Sequence, residues 1–283
     1  MAEHIEQANT EVEGQEVSHE ATLFAEPIFH VGNFTITNSL ISSWITVVIL
    51  VILFVFIGRK VKRIPRGLQN VFEFLLEEAL KLADSITGSR NKSERFLPIS
   101  LALFLFILIN NWLGLLPGVG TIGFNETSEG HLAFVPLLRG GTADINTTMA
   151  LALFAVVASH VMGVLTIGIW KHINKFFNME AFLAIPGKVK KDVSIVLVNP
   201  IKAFVGIVEL IGEVAKVASL SFRLFGNIFA GEVLLASMMA LFAYILPLPF
   251  MFLEIIVGII QALIFAMLTL VFMTIASEHH AEH

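Results

Sequence analysis

The chain has 283 residues, of which 56% are apolar and only 14% are charged, and its mean hydropathy of +0.82 lies far outside the range of soluble domains, so it is an integral membrane protein. With no cysteine in the sequence, disulfides, thiolate metal sites and cysteine nucleophiles are excluded. The net charge of −5 matters less than its distribution, because residues 1–58 contain no Lys or Arg while Glu3, Glu6, Glu11, Glu13, Glu16, Glu20 and Glu26 crowd the start.

Residues 1–26 read as an acidic, disordered tail. They lack the basic n-region and apolar core of a secretory signal and are expected in the mature protein. Residues 27–283 read as a single membrane domain. Four stretches, 41–58, 96–116, 147–170 and 249–276, are long enough and poor enough in charge to cross ~30 Å of hydrocarbon as helices. Between the first two, GLQNVFEFLLEEALKLADSIT (67–87) places Leu68, Val71, Phe72, Leu75, Leu76, Ala79, Leu82 and Ala83 on a 3.6-residue repeat. That pattern predicts an amphipathic helix lying at the membrane interface; a soluble helix packed on another subunit is the alternative.

The fifth region, 193–248, is strongly apolar but carries Lys202, Glu209, Glu213, Lys216, Arg223 and Glu232. Asn199-Pro200 reads as an N-cap and first turn, and no further proline occurs before Pro247. One helix over about 200–245 would be roughly 69 Å long at the standard rise, more than twice the hydrocarbon thickness, and would have to tilt steeply. The competing pattern is two spans with a turn near 219–221, where no Gly, Pro or Asn is present to make one. The expected fold is therefore an all-α membrane protein with about five crossing helices, an interfacial helix and a long tilted hairpin over about 200–276.

Loop charge orients this bundle. Arg59, Lys60, Lys62, Arg63 and Arg66 follow the first span, and Lys171, Lys175, Lys188, Lys190 and Lys191 follow the third, so both loops are expected in the cytoplasm. The loop 117–146 has Arg139 as its base against Glu126, Glu129 and Asp144, which suits the opposite side. The N-terminus is then outside and the C-terminus inside.

An arginine in the middle of the long helix, in SFRLFGNIFAGE (221–232), is costly in a bilayer and marks an ion or substrate pathway. At 100° per residue Lys216, Arg223, Asn227 and Ala230 fall within about 60° of one another, with Gly226 alongside. An internal ion pair or a snorkelling side chain is the bland alternative. A central position argues against snorkelling, and a lone arginine is unlike the repeated ones of a voltage sensor. A permanent cation facing small residues suits attraction of a carboxylate and a block on direct proton passage. By helix polarity Glu209, Glu213 and Lys216 lie on the cytoplasmic side of Arg223, and Glu232 and Glu254 lie toward the outside. Gln261, on the face of Glu254 but deeper, is placed to meet Arg223. Two polar sets divided by one cation outline two half-channels that do not join.

These residues resemble subunit a of the F-type ATP synthase membrane sector. The match rests on SFRLFGNIFAGE, on the last helix IIQALIFAMLTLVFMTIASEHH, on NNWLGLLPG (110–118), on TADINTT (142–148) and on EPIFHVGNFTITN (26–38). The resemblance implies that Arg223 faces a rotating c-ring and pairs transiently with each ring carboxylate, supported by Asn227 and Gln261. It puts Glu232 and Glu254 in the outer half-channel, with Asn111, Asp144 and Asn146 near its mouth, and Glu209 in the cytoplasmic one. It also implies b-type peripheral stalk subunits and the rest of the synthase as partners, and a bacterial inner membrane as the location.

One departure is that many family members carry a Glu/His pair where this chain has Glu232 and Glu254. Two acids close together in low-dielectric surroundings do not both ionise easily, which would make one of them the proton carrier. His160, in the third span, is read first as a hydrogen-bonded packing residue and second as a relay member. No phosphate-binding glycine loop of the G-x-x-x-x-G-K-[ST] kind occurs, so the chain is expected to be non-catalytic, without cofactor, metal or nucleic acid. The transported ion, H⁺ or Na⁺, stays open, since selectivity depends on the ring. The alternatives are a secondary transporter with Arg223 as an anion site, which would favour repeated halves that the sequence lacks, and a purely structural subunit.

Overall fold

A computed structural model describes residues 22–59, 67–116, 118–128, 131–177, 194–242 and 245–278. Most of the acidic tail, and the bases Lys60, Lys62, Arg63, Arg66, Lys188, Lys190 and Lys191, lie outside the described residues. In chain order the elements are β1 (Pro27–Val31), β2 (Phe34–Thr37), α1 (Asn38–Arg59), α2 (Leu68–Thr87), α3 (Arg90–Leu115), β3 (Gly123–Ser128), β4 (His131–Pro136), a 3₁₀ turn (Gly141–Ala143), α4 (Ile145–Ile167), α5 (Ile169–Phe177), α6 (Ser194–Leu241) and α7 (Pro247–Ser277). Five of the helices, α1, α3, α4, α6 and α7, are long and apolar enough to cross a membrane. The all-α membrane class expected from composition holds, with two short hairpins, β1–β2 and β3–β4, added to it.

The burial of α1 is the inverse of a soluble helix. Asn38, Ser39, Ser42 and Thr46 are buried, whereas Val47, Val48, Val51, Ile52, Leu53 and Phe54 are exposed. Small and polar residues therefore face the protein, where Ser42 and Thr46 donate back to the carbonyls of Asn38 and Ser42, and bulky apolar ones face lipid.

The chain divides into two compact units, and α1, α3, α4, α6 and α7 each lend part of their length to both. The first unit holds residues up to Val51, Phe106–Thr147 and Phe225–Ile259. Its β1–β2 hairpin turns at Gly32, whose φ of 64° suits glycine. Asn38 then fixes the entry to α1: its Oδ1 accepts from the N–H groups of Ser39 (2.9 Å) and Glu26 (3.2 Å), and its Nδ2 donates to the carbonyl of Pro136 (3.3 Å). Gly141 lies against Asn110 Oδ1 and Ser43 Oγ, so close that a Cβ would come within 2.5 and 2.7 Å of them.

The second unit holds Ile52–Leu105, Thr148–Leu224 and the chain from Ile260. Its core joins Ala83 of α2, Phe96 and Leu97 of α3, Met162 of α4, and Leu270 and Met273 of α7. The predicted amphipathic helix is α2, closed by Gly88 in the left-handed conformation, whose N–H donates to the Asp84 carbonyl (3.0 Å). One apolar strip, including Leu76, Ala79 and Leu80, packs on this core. A second, Val71, Phe74 and Leu75, is exposed.

Three boundaries differ from expectation. The third span does not run on to Trp170, because Gly168 adopts a φ of +88° and a separate helix, α5, begins. The second span starts at Arg90, with Pro98 inside the helix. The long helix is continuous through 219–221, which settles it against two shorter spans, but it starts at Ser194 and ends at Leu241. Pro200 is thus an interior residue and Asn199 is no cap. At 48 residues the helix is about 72 Å long, far more than an upright crossing needs.

Candidate functional site

In the first unit, the loop before α4 delivers Arg139 to α6. Arg139 Nε donates to Glu232 Oε1 (3.0 Å) and Nη2 to Oε2 (2.7 Å), a two-pronged pair of the geometry that suits guanidinium and carboxylate. The rest of the guanidinium is used as well: Nη2 donates to the Thr22 carbonyl (2.8 Å), and Nη1 donates to the Thr22 hydroxyl (3.1 Å) and the Phe24 carbonyl (3.3 Å). Only 5% of the Arg139 side chain is exposed, against 34% for Glu232. Residues 22–26, which composition assigns to a disordered tail, are therefore held in the structure. Arg139 does not stand out as a site residue in the sequence; its one signal there is that it is the base of an acidic loop.

Glu254 of α7 sits in the same unit, 7% exposed, with its carboxyl packed directly on Gly231 of α6. A side chain at 231 would occupy the carboxyl's place. Among the described residues Glu254 has no hydrogen-bond or ion-pair partner. The two acids expected to share one site thus differ in surroundings, Glu232 held by a cation and Glu254 packed on bare backbone.

Asn111 of α3 is buried and bonded on both ends, Nδ2 donating to the Gly258 carbonyl (3.1 Å) and Oδ1 accepting from Thr142 Oγ1 (2.6 Å). Asp144 is buried too, and its carboxylate caps α4 by accepting from the N–H groups of Asn146 (3.2 Å) and Thr147 (3.2 Å) and from Thr147 Oγ1 (2.9 Å). It also accepts from Ser39 Oγ (3.3 Å) and the Ala25 N–H (3.3 Å). Asn146 is exposed at the start of α4.

On α6, Arg223, Gly226, Asn227 and Ala230 lie on the face that periodicity assigns them, and Arg223, Gly226 and Asn227 differ from the buried Leu224 and Phe225 between them. Arg223 is exposed, and its Nη2 donates to Ser219 Oγ (3.3 Å) on its own helix. Gln261 is half-buried and makes no hydrogen bond to Arg223 among the described residues. Lys216 also leaves the stripe, because its Nζ donates to Glu213 Oε1 (2.6 Å).

That ion pair belongs to a polar cluster in the second unit. Glu213 Oε2 lies 3.3 Å from His160 Nε2, and His160 Nδ1 lies 3.1 Å from Nε2 of His172, on α5. These groups, with Glu209, line a cavity of about 140 Å³. Both ring nitrogens of His160 thus face titratable partners. His172 carries no signal in the sequence, because the apolar run of the third span continues to Trp170 and only the turn at Gly168 brings His172 back.

Residues 40–274 match the family described as ATP synthase A chain. Over 250 residues, 88% of this chain and 87% of the relative, the sequence is 34% identical to ATP synthase subunit a of Syntrophobacter fumaroxidans. It is 30% identical to the subunit of the same name from Moorella thermoacetica, over 87% of this chain and 93% of that one. The corresponding protein of Mycobacterium tuberculosis is 35% identical, over 87% and 89% of the two chains.

Proposed function

The chain belongs to the ATP synthase A chain family, whose members are non-catalytic, multi-pass membrane subunits of ATP synthase, and from that premise we propose that it is the stator channel that feeds ions to and from a c-ring. In this reading the outer half-channel runs past Asn146, Asp144 and Asn111 to Glu232 and Glu254. The cytoplasmic one runs through the cavity beside Glu209, Glu213, Lys216 and His160. Arg223 stands between the two sets in the order of α6 and faces the ring with Asn227, while Gln261 supports it from α7. The ring carboxylate, ionised when it meets Arg223, is attracted by a guanidinium that keeps its own proton, and the pairing is transient because the ring turns. The N-terminus is outside and the C-terminus inside, in a bacterial inner membrane, with b-type stalk subunits as further partners.

The observation that carries this reading is the exposure of Arg223. Lys216, about two turns earlier on the same stripe, is drawn inward to Glu213, yet Arg223 presents its guanidinium outward with a hydrogen bond to Ser219 and small residues around it. A membrane-embedded cation turned outward is costly unless a counter-charge comes to meet it. Replacement by alanine in assembled complexes tests this. Arg223→Ala is expected to abolish ATP-driven ion pumping in membrane vesicles with the complex intact, and normal pumping would reject the channel function.

A further inference from the structure

The second unit contains a line of close polar contacts, one hydrogen bond and one ion-pair contact, that leads from the α4–α5 corner into the cavity. It begins at His172, buried at 5% exposure, two residues after Trp170 in the first turn of α5. Nε2 of His172 is 3.1 Å from Nδ1 of His160, and Nε2 of His160 is 3.3 Å from Glu213 Oε2. The other carboxylate oxygen is held by Lys216 (2.6 Å), and the cavity of about 140 Å³ beside it, which Glu209 also lines, is large enough for several waters. We propose that His172, His160 and Glu213 form a proton wire that connects the α4–α5 corner to this cavity, with His172 as its entry group; the proposal rests on the cavity being the cytoplasmic half-channel.

The order of the groups sets how the proposed wire would work. The carboxylate oxygens of Glu213 accept, one of them from Lys216, so the 3.3 Å contact to the other is favourable with the His160 proton on Nε2, which leaves Nδ1 as the acceptor. His172 therefore donates from Nε2, and in that tautomer its Nδ1 is the accepting position. A proton added at His172 Nδ1 releases the one on Nε2 to His160 Nδ1. His160 releases its Nε2 proton to Glu213, which becomes a neutral carboxyl next to the cavity. One proton has moved from His172 Nδ1 to Glu213, both rings are neutral again in their other tautomers, and a reverse transfer or a ring reorientation resets them. Transfer in the opposite sense uses the same bonds with the order inverted.

The groups that surround the line come from every helix packed on it. Glu209, Glu213 and Lys216 belong to α6, His160 to α4 and His172 to α5, while α7 contributes Phe272, Ile275 and Ala276, none of which titrates. A glycine makes room for the second ring. At Gly163 a Cβ would stand 2.8 Å from His172 Cε1 and 2.7 Å from the Ala276 carbonyl, so only glycine lets α5 fold back and seat His172 against α4.

Passive proton flux through the membrane sector, measured in vesicles after removal of the catalytic sector, tests the wire. His172→Ala is expected to lower the flux about ten-fold or more, the scale of losing a positioned proton-transfer group, and added imidazole, a diffusible carrier, to restore part of it. His172→Gln keeps a hydrogen-bonding side chain but cannot relay, and is expected to stay low. A purely packing role would leave the glutamine variant active and the alanine variant insensitive to imidazole. Wild-type flux in either variant would overturn the proposal. If the His172 variants do not assemble, His160→Gln carries the same test with the same two outcomes. Arg223→Ala, assayed for ATP-driven pumping in the same membranes, separates the two readings: its loss of pumping beside normal flux in His172→Gln sinks the wire and leaves the half-channels standing.

Discussion

Arg139 and Glu232 show at the level of single residues how a membrane protein holds an acid within a span. Arg139 is almost wholly buried, and its guanidinium bonds run to Glu232 on one side and to Thr22 and Phe24 on the other, so the pair is fixed from both directions. Removing one partner of a buried pair costs about 3–5 kcal/mol; with Glu232 a third exposed the cost here is expected at the low end or below. Arg139→Gln and Glu232→Gln are each expected to lower pumping, and the double variant to lose less than the sum of the two, with a coupling of about 1 kcal/mol or more. Strict additivity in ATP-driven pumping would mean that the two side chains act independently. The acids themselves are legible in the sequence, because charges in apolar runs stand out. Their partners are not, since Arg139 is 93 residues from Glu232 and only the folded loop brings them together. Likewise Lys216 is legible as a charge on the Arg223 stripe, but a flexible four-carbon stem lets it turn to Glu213 instead.

At the scale of elements, the approach of α6 to α7 in the first unit depends on Gly231, which lies flat against the Glu254 carboxyl. Gly231→Ala is expected to displace Glu254 and lower pumping several-fold, an overpacking penalty of about 1–3 kcal/mol, and Glu254→Asp in the same chain, by shortening the acid, to recover part of the loss. A Gly231→Ala variant that pumps normally would show that the carboxyl has room to move and that the contact is not limiting. The existence of the membrane-crossing helices is readable, because runs of apolar residues leave no alternative in a bilayer, whereas α5 is hidden in what reads as the end of the third span. Helix ends are less so. Asn199-Pro200 has the signature of a start, yet α6 already runs from Ser194, and the stop at Gly168 depends on a positive φ that composition does not announce. The β1–β2 and β3–β4 hairpins escape a sequence reading for a related reason: they lie outside the apolar helices, where hydropathy gives no helical period to follow.

At the scale of the whole molecule, α6 contributes Glu232 to one polar set and Glu209, Glu213 and Lys216 to another, sets proposed to open to opposite sides of the membrane, with an exposed arginine between them in its sequence. Family membership explains why such a chain exists, but the separation of the two paths is a physical property that can be measured directly. The sequence contains no cysteine, so single cysteines can be introduced without removing any. Asn146→Cys would mark the outer set and Gly212→Cys the cavity beside Glu213. In oriented vesicles, a membrane-impermeant thiol reagent is expected to label Asn146→Cys only from the periplasmic face and Gly212→Cys only from the cytoplasmic face. Labelling of both positions from the same face would contradict two half-channels divided at Arg223.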